Sequence, residues 1–205
     1  MRRSRWRRGD RPTSPAPRRC RHPRWSHRPK EKRCAEASVA ECAYRTTDSP
    51  FGPLLLAATT EGLVRVAFEH EDLDEVLASL AASISPRVLR TGRRTDEVAR
   101  QLDEYFAGRR RVFDLPVDLR LVRGFRRAVI SHLGAIAYGS TASYAAVARA
   151  AGSPTAVRAV GSACAHNPVP VVVPCHRVVR SDGSIGQYLG GVEMKAALLA
   201  LESAA

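Results

Sequence analysis

The sequence predicts an α+β protein in two parts, a small sheet-and-helix segment followed by a mostly helical one. Three observations lead there. Short β-rich runs bounded by Gly and Pro turns fill residues 43–69. From Leu73 onward apolar residues recur at helical spacing. The charge also changes sign along the chain: residues 34–119 hold 10 basic and 15 acidic side chains, residues 120–205 hold 9 and 3.

Taken in order, Phe51-Gly52-Pro53 is a turn, Leu54–Ala58 an apolar strand, Glu61-Gly62 a second turn, and Leu63, Val64, Val66 and Phe68 a further strand. Leu73, Val76, Leu77 and Leu80 share one helical face. Val98, Leu102, Tyr105 and Phe106 mark a second amphipathic helix ending near Gly108, and residues 112–117 read as one more short strand. This segment shows no recognisable catalytic pattern. Phe125, Val129, Ile130 and Leu133 then form a helix that stops near Gly134. Ser143 is placed to cap a helix from Tyr144 to Ala151, closed by Gly152. Ser153 and Pro154 open the next helix, which runs to about His166. Two short helices around a Gly-containing turn are the pattern of a helix-turn-helix, though by themselves they favour an αα-hairpin in an ordinary core over a DNA-binding element. Val178-Val179 is extended, Asp182-Gly183 turns, and a last helix spans about Val192 to Glu202.

The chain has 205 residues and a formal charge of +13, most of it from residues 1–33, where 14 Lys and Arg face 2 acidic residues. That Arg/Pro-rich stretch has too few aliphatic side chains to offset the entropy of ordering and is expected to be a disordered tail. It reads as a nonspecific nucleic-acid arm or as the product of a start codon assigned too early. The expected domain limits are 1–33, 34–118 and 119–205. The basic final third suits a polyanionic partner, and a solvated surface accounts for it equally. Five cysteines (Cys20, Cys34, Cys42, Cys164, Cys175) at irregular spacing form neither a disulfide framework nor a zinc pattern, which points to a reducing compartment. No apolar run has the length of a transmembrane helix, and no apolar region follows the basic start, so neither membrane insertion nor secretion is expected.

Pro174-Cys175-His176-Arg177 is the stretch that carries chemistry. A thiolate is the reactive form of cysteine, and neighbouring cations lower its pKa, so Cys175 reads as a nucleophile. Such a thiol needs a base, and the base an orienting partner. His176 is the nearest base and Glu202 a candidate to orient it. Adjacent side chains diverge, so a water is expected between Cys175 and His176. Tyr144, at a helix start, offers a phenol as proton donor or phosphate contact. Arg158 lies near the start of the second helix of the candidate helix-turn-helix. Tyr188 among Gly186, Gly190 and Gly191 suggests a flat ligand approached closely by backbone.

From Ser143-Tyr144 through Arg158-Ala159-Val160-Gly161 and Asn167-Pro168…Pro174-Cys175-His176-Arg177-Val178 to Gly190-Gly191 and Leu198…Glu202, the chain strongly resembles the O6-alkylguanine-DNA alkyltransferases, the methylated-DNA–protein-cysteine methyltransferases. The resemblance is close over residues 120–204 and loose over 43–118. It implies a ribonuclease H-like first domain with a short antiparallel sheet and a winged-helix-like DNA-binding second domain. It also implies single-turnover repair of O6-alkylguanine in double-stranded DNA without a cofactor, by a protein expected to be a monomer in the cytoplasm or at a nucleoid. Cys175 would accept the alkyl group, His176 take its proton through water, Glu202 hold the histidine, Tyr144 protonate guanine N3, and Asn167 brace the loop. Val178, Tyr188, Gly190 and Pro170 would line the base pocket. Arg158 would fill the gap left by the flipped base, with Ala159, Ser143 and Tyr144 beside the minor groove.

Some relatives hold a structural zinc. Thr59 stands where one of its cysteines is expected, so no metal is predicted. Leu189 is bulkier than the small residue common at its place, which bears on tolerance of large alkyl groups. Two rival readings remain at this point: a turning-over cysteine hydrolase built on Cys175, His176 and Glu202, for which no oxyanion hole is evident, and a non-catalytic DNA-binding module.

Overall fold

The computed structural model describes residues 41–204. The Arg/Pro-rich segment 1–33 and the cysteines Cys20 and Cys34 lie outside the described residues. The first part contains β1 (Cys42–Thr47), β2 (Leu54–Ala58), β3 (Leu63–Phe68), α1 (Leu73–Ser83), β4 (Val88–Arg90) and α2 (Asp96–Phe106). The second contains α3 (Gly124–Leu133), β5 (Ala142–Ser143), α4 (Tyr144–Ala150), α5 (Val157–Ala165), β6 (Val178–Val179) and α6 (Val192–Ser203). A 3₁₀ turn, Cys175–Arg177, precedes β6.

The four-stranded sheet has the order β3-β2-β1-β4. β1, β2 and β3 pair antiparallel, as the resemblance implies, while the edge strand β4 joins β1 in parallel. β2 is buried on both faces, which explains its unbroken apolar run. Leu54 and Leu56 face the main core, and Leu55 and Ala57 pack with Leu80 of α1 on the other side. The main core does not stop at the sheet. It runs from Leu54, Phe68, Leu102 and Tyr105 through Val129 and Leu133 to Val160, Cys175 and Leu198.

Two local expectations are corrected. Residues 112–117 form no strand: Val117 makes only an isolated bridge to Leu63. Pro116 has no N–H to give, and the Asp114 N–H is taken by the Gln101 side chain at 2.9 Å. The second helix of the hairpin begins at Val157 rather than at Ser153-Pro154, which instead form a turn closed by Ala156 N to Ser153 O at 3.0 Å. Ser143 does cap α4, its hydroxyl accepting from Ala146 N at 3.1 Å. Thr59 donates to Asp118 at 2.6 Å and Asp118 pairs with Arg120, tying the end of β2 to the segment that leads into the helical part.

Candidate active site

The loop Asn167–Pro174 and the 3₁₀ turn after it place the reactive groups. Val171 holds a φ of 72°, a costly conformation for a β-branched residue, so the surrounding contacts must enforce it. The Asn167 side chain does much of this. Its Nδ2 donates to Val173 O at 2.9 Å and to Cys175 Sγ at 3.1 Å, while its Oδ1 accepts from Val169 N at 3.1 Å. Pro170, also buried, bridges to Val173 within the same loop.

Cys175 is almost fully buried, and burial pushes its thiol up to about 11, with the Asn167 hydrogen bond and the charge of Lys195 opposing the rise. The expectation that the adjacent cations lower this pKa is therefore corrected. Arg177 turns away from the sulfur and clasps Glu202, with Nε to Oε2 at 2.9 Å and a second nitrogen to Oε1 at 2.9 Å. The cation that does reach the thiol electrostatically is Lys195 on α6, fully buried, its Nζ donating to Val178 O at 2.5 Å. Burial lowers the Lys195 pKa.

His176 Nε2 lies 2.9 Å from Glu202 Oε1. An ionised carboxylate only accepts, so Nε2 carries the proton and Nδ1 is left as the basic nitrogen. Nδ1 is buried and has no protein partner among the described residues. Burial lowers the imidazole pKa against the pull of Glu202, so the ring is neutral at rest. Burial alone would raise Glu202, yet donors from His176, Arg177 and Tyr105 hold its carboxyl down at about 2. Cys175 and His176 make no direct hydrogen bond to each other.

The ring of Tyr144 stands at the start of α4, its hydroxyl so close to Gly186 that a Cβ there would lie 2.5 Å away. Lys195 Nζ sits 5.8 Å from its ring centroid. Burial raises the Tyr144 phenol, which keeps its proton in place. Tyr188 meets His176 edge-on at 6.3 Å and Phe68 of β3 at 6.0 Å. Gly190 is needed for this packing, since a Cβ would come within 2.2 Å of Met194 Sδ and 3.2 Å of the Phe68 ring. Arg158 and Ala159 lie on the exposed face of α5, away from the thiol network, with Ser162 on the same face. Cys175 is thus gathered with Asn167, and His176 with Glu202 and Tyr188, while Ser143 serves first as a helix cap.

Two residues of the site, Lys195 and Tyr105, escaped the sequence reading, and a third was misassigned. Arg177 was visible but given the wrong partner. Lys195 had a legible signal, for Lys195, Leu198 and Glu202 fall on one helical stripe and a lysine there must be buried. Tyr105 had none, as it looked like one more apolar position of α2. It donates to Glu202 Oε1 at 2.7 Å.

Residues 42–119 match the family described as 6-O-methylguanine DNA methyltransferase, ribonuclease-like domain, and residues 124–204 match 6-O-methylguanine DNA methyltransferase, DNA binding domain. A methylated-DNA–protein-cysteine methyltransferase of Mycolicibacterium paratuberculosis is 40% identical over 159 residues, covering 78% of this chain and 91% of the relative. The constitutive methylated-DNA–protein-cysteine methyltransferase of Bacillus subtilis is 37% identical over 163 residues, covering 78% and 94%. The crystal structure of Mycobacterium tuberculosis OGT in complex with DNA superposes with a TM-score of 0.68 at 36% identity, covering 79% of this chain and 93% of that one.

Proposed function

The chain belongs to the 6-O-methylguanine DNA methyltransferase family, and from that membership we propose how its own residues carry out the repair. The activity is direct reversal of DNA damage, the transfer of an alkyl group from DNA to a cysteine of the protein itself. DNA is the partner.

Cys175 is the acceptor. The observation that carries this is its burial in a loop pinned by Asn167, directly before a His176–Glu202 pair whose remaining ring nitrogen is free to take a proton. With the thiol near 11 and the imidazole neutral, no thiolate stands at rest. Deprotonation therefore accompanies substrate arrival, and oxidants or stray electrophiles meet a sluggish thiol. The S–H proton passes through a bridging water to His176 Nδ1, the sulfur attacks the alkyl carbon in line, and the C–O6 bond breaks with its electron pair left on the base. Tyr144, kept protonated by burial, donates at guanine N3. The net step moves the alkyl group to sulfur and one proton from protein to base. The thioether has no leaving group, so each molecule acts once, and the chemistry needs no cofactor or metal.

A stacked guanine is out of reach, so the base is flipped, and Arg158 fills the vacated stack while the small face of α5 enters the minor groove. Pro170, Val178, Tyr188 and Gly190 line the base pocket. Ser143 and Ala159 contact the backbone, in a salt-dependent and largely sequence-independent way. The working unit is a monomer with segments 1–33, 34–118 and 119–205, and it acts in the cytoplasm or at a nucleoid. Among the described residues no helix is long and apolar enough to cross a membrane. The test is a Cys175→Ala variant mixed with duplex containing O6-methylguanine: binding is retained and repair abolished. Residual repair would move the acceptor to Cys164 or another thiol.

A further inference from the structure

We propose that Tyr105, on α2 of the ribonuclease-like segment, is a positioning residue of the proton relay, holding Glu202 and through it the tautomer and basicity of His176. The inference rests on the Cys175–His176–Glu202 reading and assigns part of that machinery to the segment that carries none of the family's reactive motif.

The geometry is specific. Tyr105 is fully buried, and its hydroxyl donates to Glu202 Oε1 at 2.7 Å, the same oxygen that receives His176 Nε2 at 2.9 Å. The hydroxyl and Nε2 are themselves 3.4 Å apart, side by side on one acceptor. Packing alone does not require this, because phenylalanine would fill the same aromatic cluster with Phe106, Phe113 and Tyr138. A hydroxyl chosen for this cluster has one use, and that is its bond to the carboxylate. The bond fixes the position of Oε1 and withdraws charge from it, so that Glu202 orients the imidazole without drawing it into the imidazolium state. The groups that face this centre from the packed elements are Arg177 and Tyr138 beside Glu202, Lys195 and Tyr188 beside His176, and Tyr105 itself.

Two further contacts bring the first segment to the site. Val66 N of β3 donates to Pro168 O at 2.8 Å, and Phe68 packs on Tyr188. Tyr105 differs from both in making a polar contact with the relay, and only a polar contact changes how a proton moves.

The experiment is single-turnover transfer from saturating O6-methylguanine duplex as a function of pH, for the wild type, Tyr105→Phe and Phe113→Leu. Methyl acceptance by wild-type Cys175 is verified first, and its failure would sink the parent reading rather than this one. Tyr105→Phe is expected to bind DNA as the wild type does, to react about tenfold more slowly at neutral pH through a misplaced imidazole, and to reach half-maximal rate at higher pH, because an unshielded Glu202 makes His176 more basic and only the neutral ring accepts the thiol proton. Phe113→Leu loosens the same cluster and leaves the profile where it was. A Tyr105→Phe profile superimposable on the wild type would overturn the proposal. Should Tyr105→Phe not fold, 3-fluorotyrosine placed at position 105 alone decides: its more acidic hydroxyl binds Glu202 more tightly, makes His176 less basic and moves the half-maximal pH down, and an unmoved profile refutes the role.

Discussion

Asn167 makes three hydrogen bonds with one fully buried side chain, to Val173 O, Val169 N and Cys175 Sγ. Asn167→Ala would leave a buried N–H and a buried C=O unpaired and take from the sulfur the donor that lowers its pKa. We predict a loss of about 3 kcal/mol in chemical denaturation and slower methyl transfer at neutral pH, with unchanged stability as the contrary result. Glu202 provides the acid-side signature. Its folded carboxyl titrates near 2 against an ordinary 4.5, so the folded state binds that proton less well than the unfolded one. The stability it contributes is complete above pH 4.5 and is lost as pH falls toward 2. The buried thiols behave the opposite way. Cys175 near 11 and Cys164 near 12, both from 9.0, favour the fold below pH 9 and withdraw that support as pH climbs through their folded values. Denaturation midpoints measured across pH should therefore fall on both flanks, and Glu202→Gln should flatten the acid flank while destabilising the protein at neutral pH, since it leaves the buried Arg177 charge without its partner.

Among the elements, α5 is built for an outside surface. A Cβ at Gly161 would touch nothing within 4 Å, so no internal packing explains a glycine inside this helix. Gly161→Ala is expected to raise stability by up to about 1 kcal/mol and to weaken DNA binding in a gel-shift titration; stabilisation without loss of affinity would show that the face does not meet DNA closely. Arg158→Ala should slow repair of duplex more than reaction with free O6-benzylguanine, and equal losses on both would remove the stacking role. Element limits were legible wherever side-chain period and punctuation agreed, as in β2, β3, α2 and α4. They failed where backbone hydrogen bonds went elsewhere. The apolar look of residues 112–117 hid a donor spent on Gln101, and the Ser153-Pro154 cap signal marked a turn three residues ahead of its helix. β4 was missed because a three-residue strand, Val88–Arg90, is too short to carry a period.

For the whole molecule, the two family segments share one core, which crosses from the sheet through Tyr105 to the helices around Cys175. A shared core predicts a single cooperative melting transition in calorimetry, and two resolved transitions would show that the segments unfold independently. The acceptor motif was readable because Cys175, His176 and Arg177 are contiguous, and Glu202 could be named as the partner of the histidine, whereas Lys195 and Tyr105 approach from elsewhere in the chain and only the fold reveals whom they face. The central claim concerns one sulfur atom. Intact and peptide mass spectrometry after mixing the protein with excess duplex containing O6-methylguanine tests it most directly. The account predicts the gain of a single methyl group per molecule, confined to the peptide that contains Cys175. An unmodified protein of verified fold and thiol content, or a methyl group on another residue, would contradict it.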